Sequence, residues 1–323
     1  LRFDLANTIT VVGENTFYNC QNLLEVILDH VESIGNYAFY ACRSLIDLAF
    51  PSLTSLGESV FYSCLGLESI SFPLVRIIGR SSFSNCAKHR LLELVSIIKI
   101  EMDVFTYCSG LETVILPNVT EIGRYAFMYC KNLNQVRFPK IQTIGENSFE
   151  GCNALVDAIF PNTLKEIKNG AFRSCGFTSL IFPESLETIG GSAFIGSSSL
   201  TSVIFTGNIN SIGSSAFYSC KALTSVIFLG TVSLIDFTAF GSCTSLTSLV
   251  ISNFDLNLGT GSFSYAPQHL DVFFTYPVED FVPANWTKWR DNENYTFHYL
   301  GDWDYISGVP TPNEVVQSIL YLI

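Results

Sequence analysis

The chain has 323 residues, 48% of them hydrophobic and only 14% charged, and a formal net charge of −12. That much apolar sequence excludes a disordered chain and is enough for a sizeable core. The acidic balance excludes the basic footprint of a nucleic-acid or anionic-membrane binder, and no apolar run reaches the roughly 18 residues of a membrane-spanning helix.

Residues 1–12 read as the tail of an earlier repeat, and the absence of a basic–apolar leader before them predicts a mature or trimmed fragment. From there one phrase recurs, as "SIGNYAFYAC" from Ser33, "EIGRYAFMYC" from Glu121 and "SIGSSAFYSC" from Ser211. Its phenylalanine falls at Phe17, Phe39, Phe61, Phe83, Phe105, Phe127, Phe149, Phe172, Phe194, Phe217, Phe240 and Phe263, in steps of 22 or 23 residues. Three residues later stands a cysteine in ten copies, from Cys20 and Cys42 to Cys220 and Cys243; Ser197 and Ala266 replace it in the other two. That regularity belongs to a repeat rather than to a disulfide framework. Five residues before the Phe stands an aliphatic residue such as Ile34, Ile122 or Ile212, followed mostly by glycine, as in Gly35, Gly123 and Gly213. Glu101, Lys168 and Asp236 interrupt that glycine column. After the cysteine comes L-x-x-V-x-F, as in Leu200–Val203–Phe205, often closed by a proline such as Pro51, Pro117 or Pro183.

Each column has a physical meaning. V-x-F has a period of two and is β-branched and aromatic, which predicts a short strand. Its Val and Phe point one way and the residue between them the other. Proline ends the strand, and glycine is expected to allow a turn that a Cβ would resist. The A-F-x-x-C segment returns the chain with its Phe buried. One such unit cannot bury its own apolar side, whereas stacked units share one continuous core.

Two copies depart from the pattern and predict local distortion. "CAKHRLLEL", from Cys86, has His89 at the first Leu position, and "CGFTSL", from Cys175, is one residue short with Phe177 for Leu. From about Tyr276 the pattern stops. That region holds Trp286, Trp289 and Trp303, and alternating Tyr295, Phe297 and Tyr299 predict a strand. Residues 311–323 have a proline and capping residues, then Val315, Val316, Ile319 and Leu320 on one helical face, which reads as a capping helix or the start of a following segment. The expected organisation is a repeat domain over 1–275 and a capping segment over 276–323, because a last repeat exposes a hydrophobic end and a sheet edge.

The unit I-G-x-x-A-F-x-x-C-x-x-L-x-x-V-x-F-P resembles the Treponema pallidum type of leucine-rich repeat, found in BspA-like surface proteins of bacteria and protists. The resemblance covers residues 1 to 275. It implies a leucine-rich-repeat solenoid of about twelve 22–23-residue repeats, with a parallel β-sheet on the concave face, an irregular convex side and a small C-terminal cap. It also implies a cell-surface or secreted location and adhesion to host extracellular or matrix proteins.

No catalytic, cofactor or metal constellation is expected. His30, His89, His269 and His298 have no partner at metal-ligand spacing, and the cysteines have no C-x-x-C pairing. Stacking would bring successive thiols to about 5 Å, the strand spacing. They read as a ladder of small buried thiols and not as disulfides.

Function in such a scaffold falls to the outward residue of V-x-F. Along the chain this is Ile27, Ala49, Ser71, Glu93, Ile115 and Arg137, then six apolar residues in succession: Ile159, Ile181, Ile204, Ile227, Val250 and Phe273. Beside them run Thr201 and Ser202, Thr224 and Ser225, Thr247 and Ser248. The strip is expected to face solvent and bind a protein partner, its apolar side chains as anchors and its hydroxyls as hydrogen-bond partners. The plainer account is that β-branched residues are good strand formers. With it goes a different function, that of a spacer or display scaffold with no binding of its own.

Overall fold

The computed structural model describes residues 2–4, 9–252, 256–266 and 269–275, and the strands 295–298, 303–306 and 309–312. Two compact units divide the chain, Leu1–Gly176 and Phe177–Ile323. Each is a parallel β-solenoid, and no helix occurs among the described residues.

A turn of the solenoid has three parts. The first is the strand of the V-x-F segment. In the first unit, Leu91–Glu93, Thr113–Ile115 and Gln135–Arg137 pair in parallel with Leu92, Val114 and Val136 in register. In the second, Ser179–Phe182, Ser202–Phe205, Ser225–Phe228, Ser248–Ile251 and Leu270–Phe274 form one parallel ladder, to which Tyr295–His298 adds as a sixth strand. The second part is a two-residue strand ending on the aliphatic column, such as Ser33–Ile34 or Ser211–Ile212, also parallel to its neighbours. The third is the turn that carries the phenylalanine.

All twelve repeat phenylalanines are buried. In the first unit their rings stack at 5.0 to 5.4 Å between centroids. From Phe194 to Phe263 in the second they stack at 5.0 to 5.2 Å. Stacking at this distance keeps the rings in contact along the ladder and fills the core continuously. The cysteines are unpaired thiols. Nine of them donate to the carbonyl of the phenylalanine one turn back, as Cys42 Sγ does to Phe17 O at 3.1 Å and Cys243 Sγ to Phe217 O at 3.3 Å.

The turn is helix-free and itself laddered. The residues two before and two after each Phe have a left-handed backbone, with Asn15 and Asn19 at φ 57° and Ser215 and Ser219 at φ 58° and 62°. Only four of these positions are glycine; most are Ser, Asn, Asp or Tyr. The strain of a left-handed non-glycine residue is offset by backbone bonds to the next turn. Asn15, Phe17 and Asn19 N–H groups reach the carbonyls of Asn36, Ala38 and Tyr40 at 3.0, 2.7 and 2.7 Å.

The glycine column resists a Cβ as expected, through close approach of the neighbouring turn rather than through a left-handed backbone. Gly35, Gly57, Gly79, Gly145 and Gly213 do not have a left-handed backbone. They are needed because the preceding turn passes too close. A Cβ on Gly79 would lie 2.3 Å from the Gly57 carbonyl oxygen, and one on Gly145 2.3 Å from that of Ile122.

Of the two irregular copies, "CGFTSL" is accommodated: Phe177 is fully buried and Ser179–Phe182 forms. At "CAKHRLLEL" the strand Leu91–Glu93 forms, but it does not join Ser69–Ser71, so the sheet is interrupted. A strand at Tyr295–His298 meets the reading of the C-terminal region, and an antiparallel hairpin joins Trp303–Ile306 to Val309–Pro312. Trp286, Trp289 and the helical reading of 315–320 lie outside the described residues.

Candidate protein-binding surface

In the second unit the sheet register lines up the outward column. Ile181 pairs with Ile204, Ile204 with Ile227, Ile227 with Val250, and Val250 with Phe273. The alternation holds at the start, where Ser179–Phe182 is exposed, buried, exposed, buried along its length. Ile181 is 61% exposed and Ile204 is half-buried.

Further along, the expectation of a solvent-facing strip is corrected. Ile227, Val250 and Phe273 are only 2%, 0% and 7% exposed, and they form a second apolar cluster with Ile204 packed against it. A side chain can point away from the main core and still be covered. At the last position the His298 ring stacks on Phe273 at 4.5 Å, tilted by 13°. Its Nε2 lies 3.0 Å from Asp271 Oδ1, and His269 Nε2 lies 3.3 Å from the same oxygen.

The hydroxyl column is corrected as well. Thr201, Thr224 and Thr247 are exposed. However, Thr201 Oγ1 donates to the Thr178 carbonyl at 2.8 Å and Thr224 Oγ1 to the Thr201 carbonyl at 3.0 Å. Their protons are engaged in the ladder, which leaves them as acceptors for a partner. Ser202, Ser225 and Ser248 are half-buried, and Ser248 Oγ is enclosed without a partner.

In the first unit Ile159 is 85% exposed, but residues 157–159 form no strand. A cleft of about 780 Å³ opens beside the His89 turn. Its charges neutralise each other, Lys88 Nζ lying 2.8 Å from Glu68 and Arg90 Nη1 3.7 Å from Glu112. His89 itself replaces a core leucine and is 8% exposed. Its Nδ1–H donates to the Glu68 carbonyl at 3.1 Å, while Nε2 is buried without a partner. Burial holds its pKa below the ordinary value, partly offset by that hydrogen bond. Among the described residues, no three His, Cys, Asp or Glu side chains are grouped to hold a metal ion.

Stacked short strands, a laddered turn and an L-x-x-V-x-F core define a leucine-rich-repeat protein. The chain belongs to the BspA type leucine rich repeat family, whose model matches residues 2–111, 77–200 and 165–281. No curated protein sequence matches it. Among solved structures it is similar to a leucine-rich repeat protein from Bacteroides ovatus, at 22% identity over 93% of this chain and 92% of the other, with a TM-score of 0.57. It is also similar to the leucine-rich repeat protein of T. pallidum, at 28% identity over 50% of this chain and 78% of the other, TM-score 0.43. A leucine rich cell surface protein from Faecalibacterium prausnitzii is 16% identical over 93% and 88%, TM-score 0.37. These likenesses concern the fold alone.

Proposed function

We propose that this chain is a non-enzymatic, cell-surface or secreted protein-binding protein that holds a partner on the outer face of its strand ladder, the partner being a host extracellular or matrix protein. The observation that carries this reading is Ile181. It is 61% exposed at the open end of an apolar column that runs through Ile204 into a covered cluster. Exposed Thr178, Thr201 and Thr224 flank the column and can accept hydrogen bonds without the desolvation cost of a charge. A partner ridge laid along this end would extend a cluster that is already apolar.

The test is binding of the full chain to immobilised extracellular matrix proteins, with Ile181→Ser and Ile181→Lys as variants. The expected result is unchanged thermal unfolding and an affinity loss of about tenfold or more, since apolar anchors carry most of an interface's energy. Wild-type binding by both variants, or no binding by the parent chain, would leave the spacer reading in its place.

A further inference from the structure

A second surface lies on the phenylalanine turns of the first unit, whereas Ile181 belongs to the second. In three successive turns the residue directly after the repeat Phe is a tyrosine: Tyr18, Tyr40 and Tyr62. Their rings stack at 5.0 and 4.9 Å between centroids, tilted by only 8° and 4°. Tyr37 meets Tyr40 edge-on at 6.1 Å. The stack is open to solvent along its edge: Tyr18 is 50% exposed, and Tyr37, Tyr40 and Tyr62 are half-buried. Among the described residues, none of these four hydroxyls is hydrogen-bonded to another protein group. Burial and the neighbouring phenols of Tyr62, Tyr18 and Tyr37 hold the Tyr40 hydroxyl above its ordinary pKa, so it stays a donor at neutral pH.

The fold does not demand this column. The same position holds Ser84, Thr106, Met128, Glu150, Arg173 and Ile195 in the turns that follow. Those turns close with the same backbone bonds: Phe17 N–H reaches the Ala38 carbonyl at 2.7 Å, and Phe127 N–H that of Ser148 at 2.7 Å. Beside Tyr18 stand exposed Asn15, Asn19 and Gln21, with Gln21 Nε2 donating to Asn19 Oδ1 at 2.9 Å. Tyrosine with Asn and Gln combines rigid amphipathic contact area with adaptable hydrogen bonding. The exposed charges of the three turns are Glu14, Arg43 and Glu58, a net acidic set that disfavours an anionic polymer.

We propose that the edge of this stack binds a neutral, extended, β-linked glycan of the cellulose or chitin kind, lying along the ladder of turns with one sugar to each tyrosine. The step decides between polymers. Because the rings of Tyr18, Tyr40 and Tyr62 are nearly parallel, their hydroxyls recur at about the ring spacing. An extended β-linked hexose chain advances by nearly that step per sugar, so each phenol meets one sugar. An extended peptide advances by about 3.4 Å per residue and falls out of step at the second turn. Each phenol can donate to one sugar hydroxyl and accept from another. The ring faces are taken up by each other, so the sugars bind at the ring edges and through hydroxyls. Stacking also fixes the hydroxyls in place before the ligand arrives, which lowers the entropy cost of binding.

The experiment follows the tyrosine ring signals of the full, isotope-labelled chain by NMR while cellohexaose, chitohexaose, maltohexaose or a threonine-rich hexapeptide is added. The signals are assigned from the single variants Tyr18→Phe, Tyr40→Phe and Tyr62→Phe. Cellohexaose or chitohexaose should shift all three rings together with one dissociation constant, and the better of the two tells a plain from an N-acetylated glycan. The hexasaccharide should bind about tenfold or more tightly than its disaccharide, which spans too few turns. Maltohexaose, whose α-linked chain coils, should leave the rings unmoved. Tyr40→Phe keeps its ring in the stack and removes the central hydroxyl, and should weaken binding about fivefold or more without lowering thermal stability. The proposal is overturned if neither β-linked hexasaccharide shifts these rings. Equal binding of maltohexaose or of the peptide, or unchanged binding by Tyr40→Phe, overturns it too. Ile181→Ser should leave glycan binding unchanged, so failure here and failure of the Ile181 surface are read separately.

Discussion

Nine thiols between Cys42 and Cys243 lie inside the solenoid, each donating to a carbonyl one turn back, while Cys20 is exposed. Burial pushes Cys42, Cys108 and Cys243 up to about 12, so the reactive thiolate is scarce near neutral pH. A thiol reagent at pH 8 should label Cys20 rapidly and the others only on unfolding; mass spectrometry should count one fast site in native protein and ten in denatured protein. Several fast native sites would contradict the buried ladder. His89 makes the complementary prediction for acid. Its Nε2 has no partner, so protonating the ring would bury an uncompensated charge. Burial holds the folded pKa below that of an ordinary histidine, about 6.5. Its stability contribution is therefore complete above about 6.5 and is lost as pH falls through the lowered folded value. Urea unfolding between pH 7 and 5 should show falling stability in the wild type and a flatter profile in His89→Leu. Parallel profiles for the two proteins would assign the acid sensitivity elsewhere.

Within the strand ladder of residues 179–274, the same outward column passes from open to covered. Ile181 and Ile227 are chemically identical and stand two strands apart, so they make a controlled pair. Ile181→Ser should cost less than about 1 kcal/mol, a loss of strand propensity alone. Ile227→Ser should cost about 3 kcal/mol or more, because it empties a buried site and leaves a hydroxyl in it. Chemical denaturation of the two variants checks this, and equal costs would mean that the second cluster does not contribute to stability.

A solenoid is stabilised by nearest neighbours, so its ends carry most of its vulnerability. At one end of the second unit, Tyr295–His298 pairs with Leu270–Phe274 and sets His298 over Phe273. A chain cut after residue 275 loses that strand and presents the edge Leu270–Phe274, apolar at four of its five residues. Light scattering should show association of the shortened chain, and hydrogen exchange should show lost protection at Val272 and Phe274. A monodisperse, equally protected product would make 276–323 an independent appendage rather than the cap it is proposed to be.

Periodicity alone carried the repeat, its family resemblance, the inward columns and the buried thiols. Each of these is a local pattern written a dozen times, and the Phe17-to-Phe263 register leaves few ways to bury so many rings. The role of Gly79 was not legible, because the carbonyl that a Cβ would strike belongs to a turn 22 residues earlier. Nor were the paired left-handed positions around each Phe, where Ser, Asn and Tyr stand more often than glycine; only their mild enrichment in Asn and Ser hinted at them. The strip was read correctly as to strand face and incorrectly as to exposure. Alternation tells which way Ile227 and Val250 point, but what lies over them depends on contacts between distant segments. Tyr18, Tyr40 and Tyr62 were visible in principle as one column directly after the repeat Phe. That their rings stack and set their hydroxyls in a row is decided by the tertiary structure, since stacking is a property of neighbouring turns and not of any one of them.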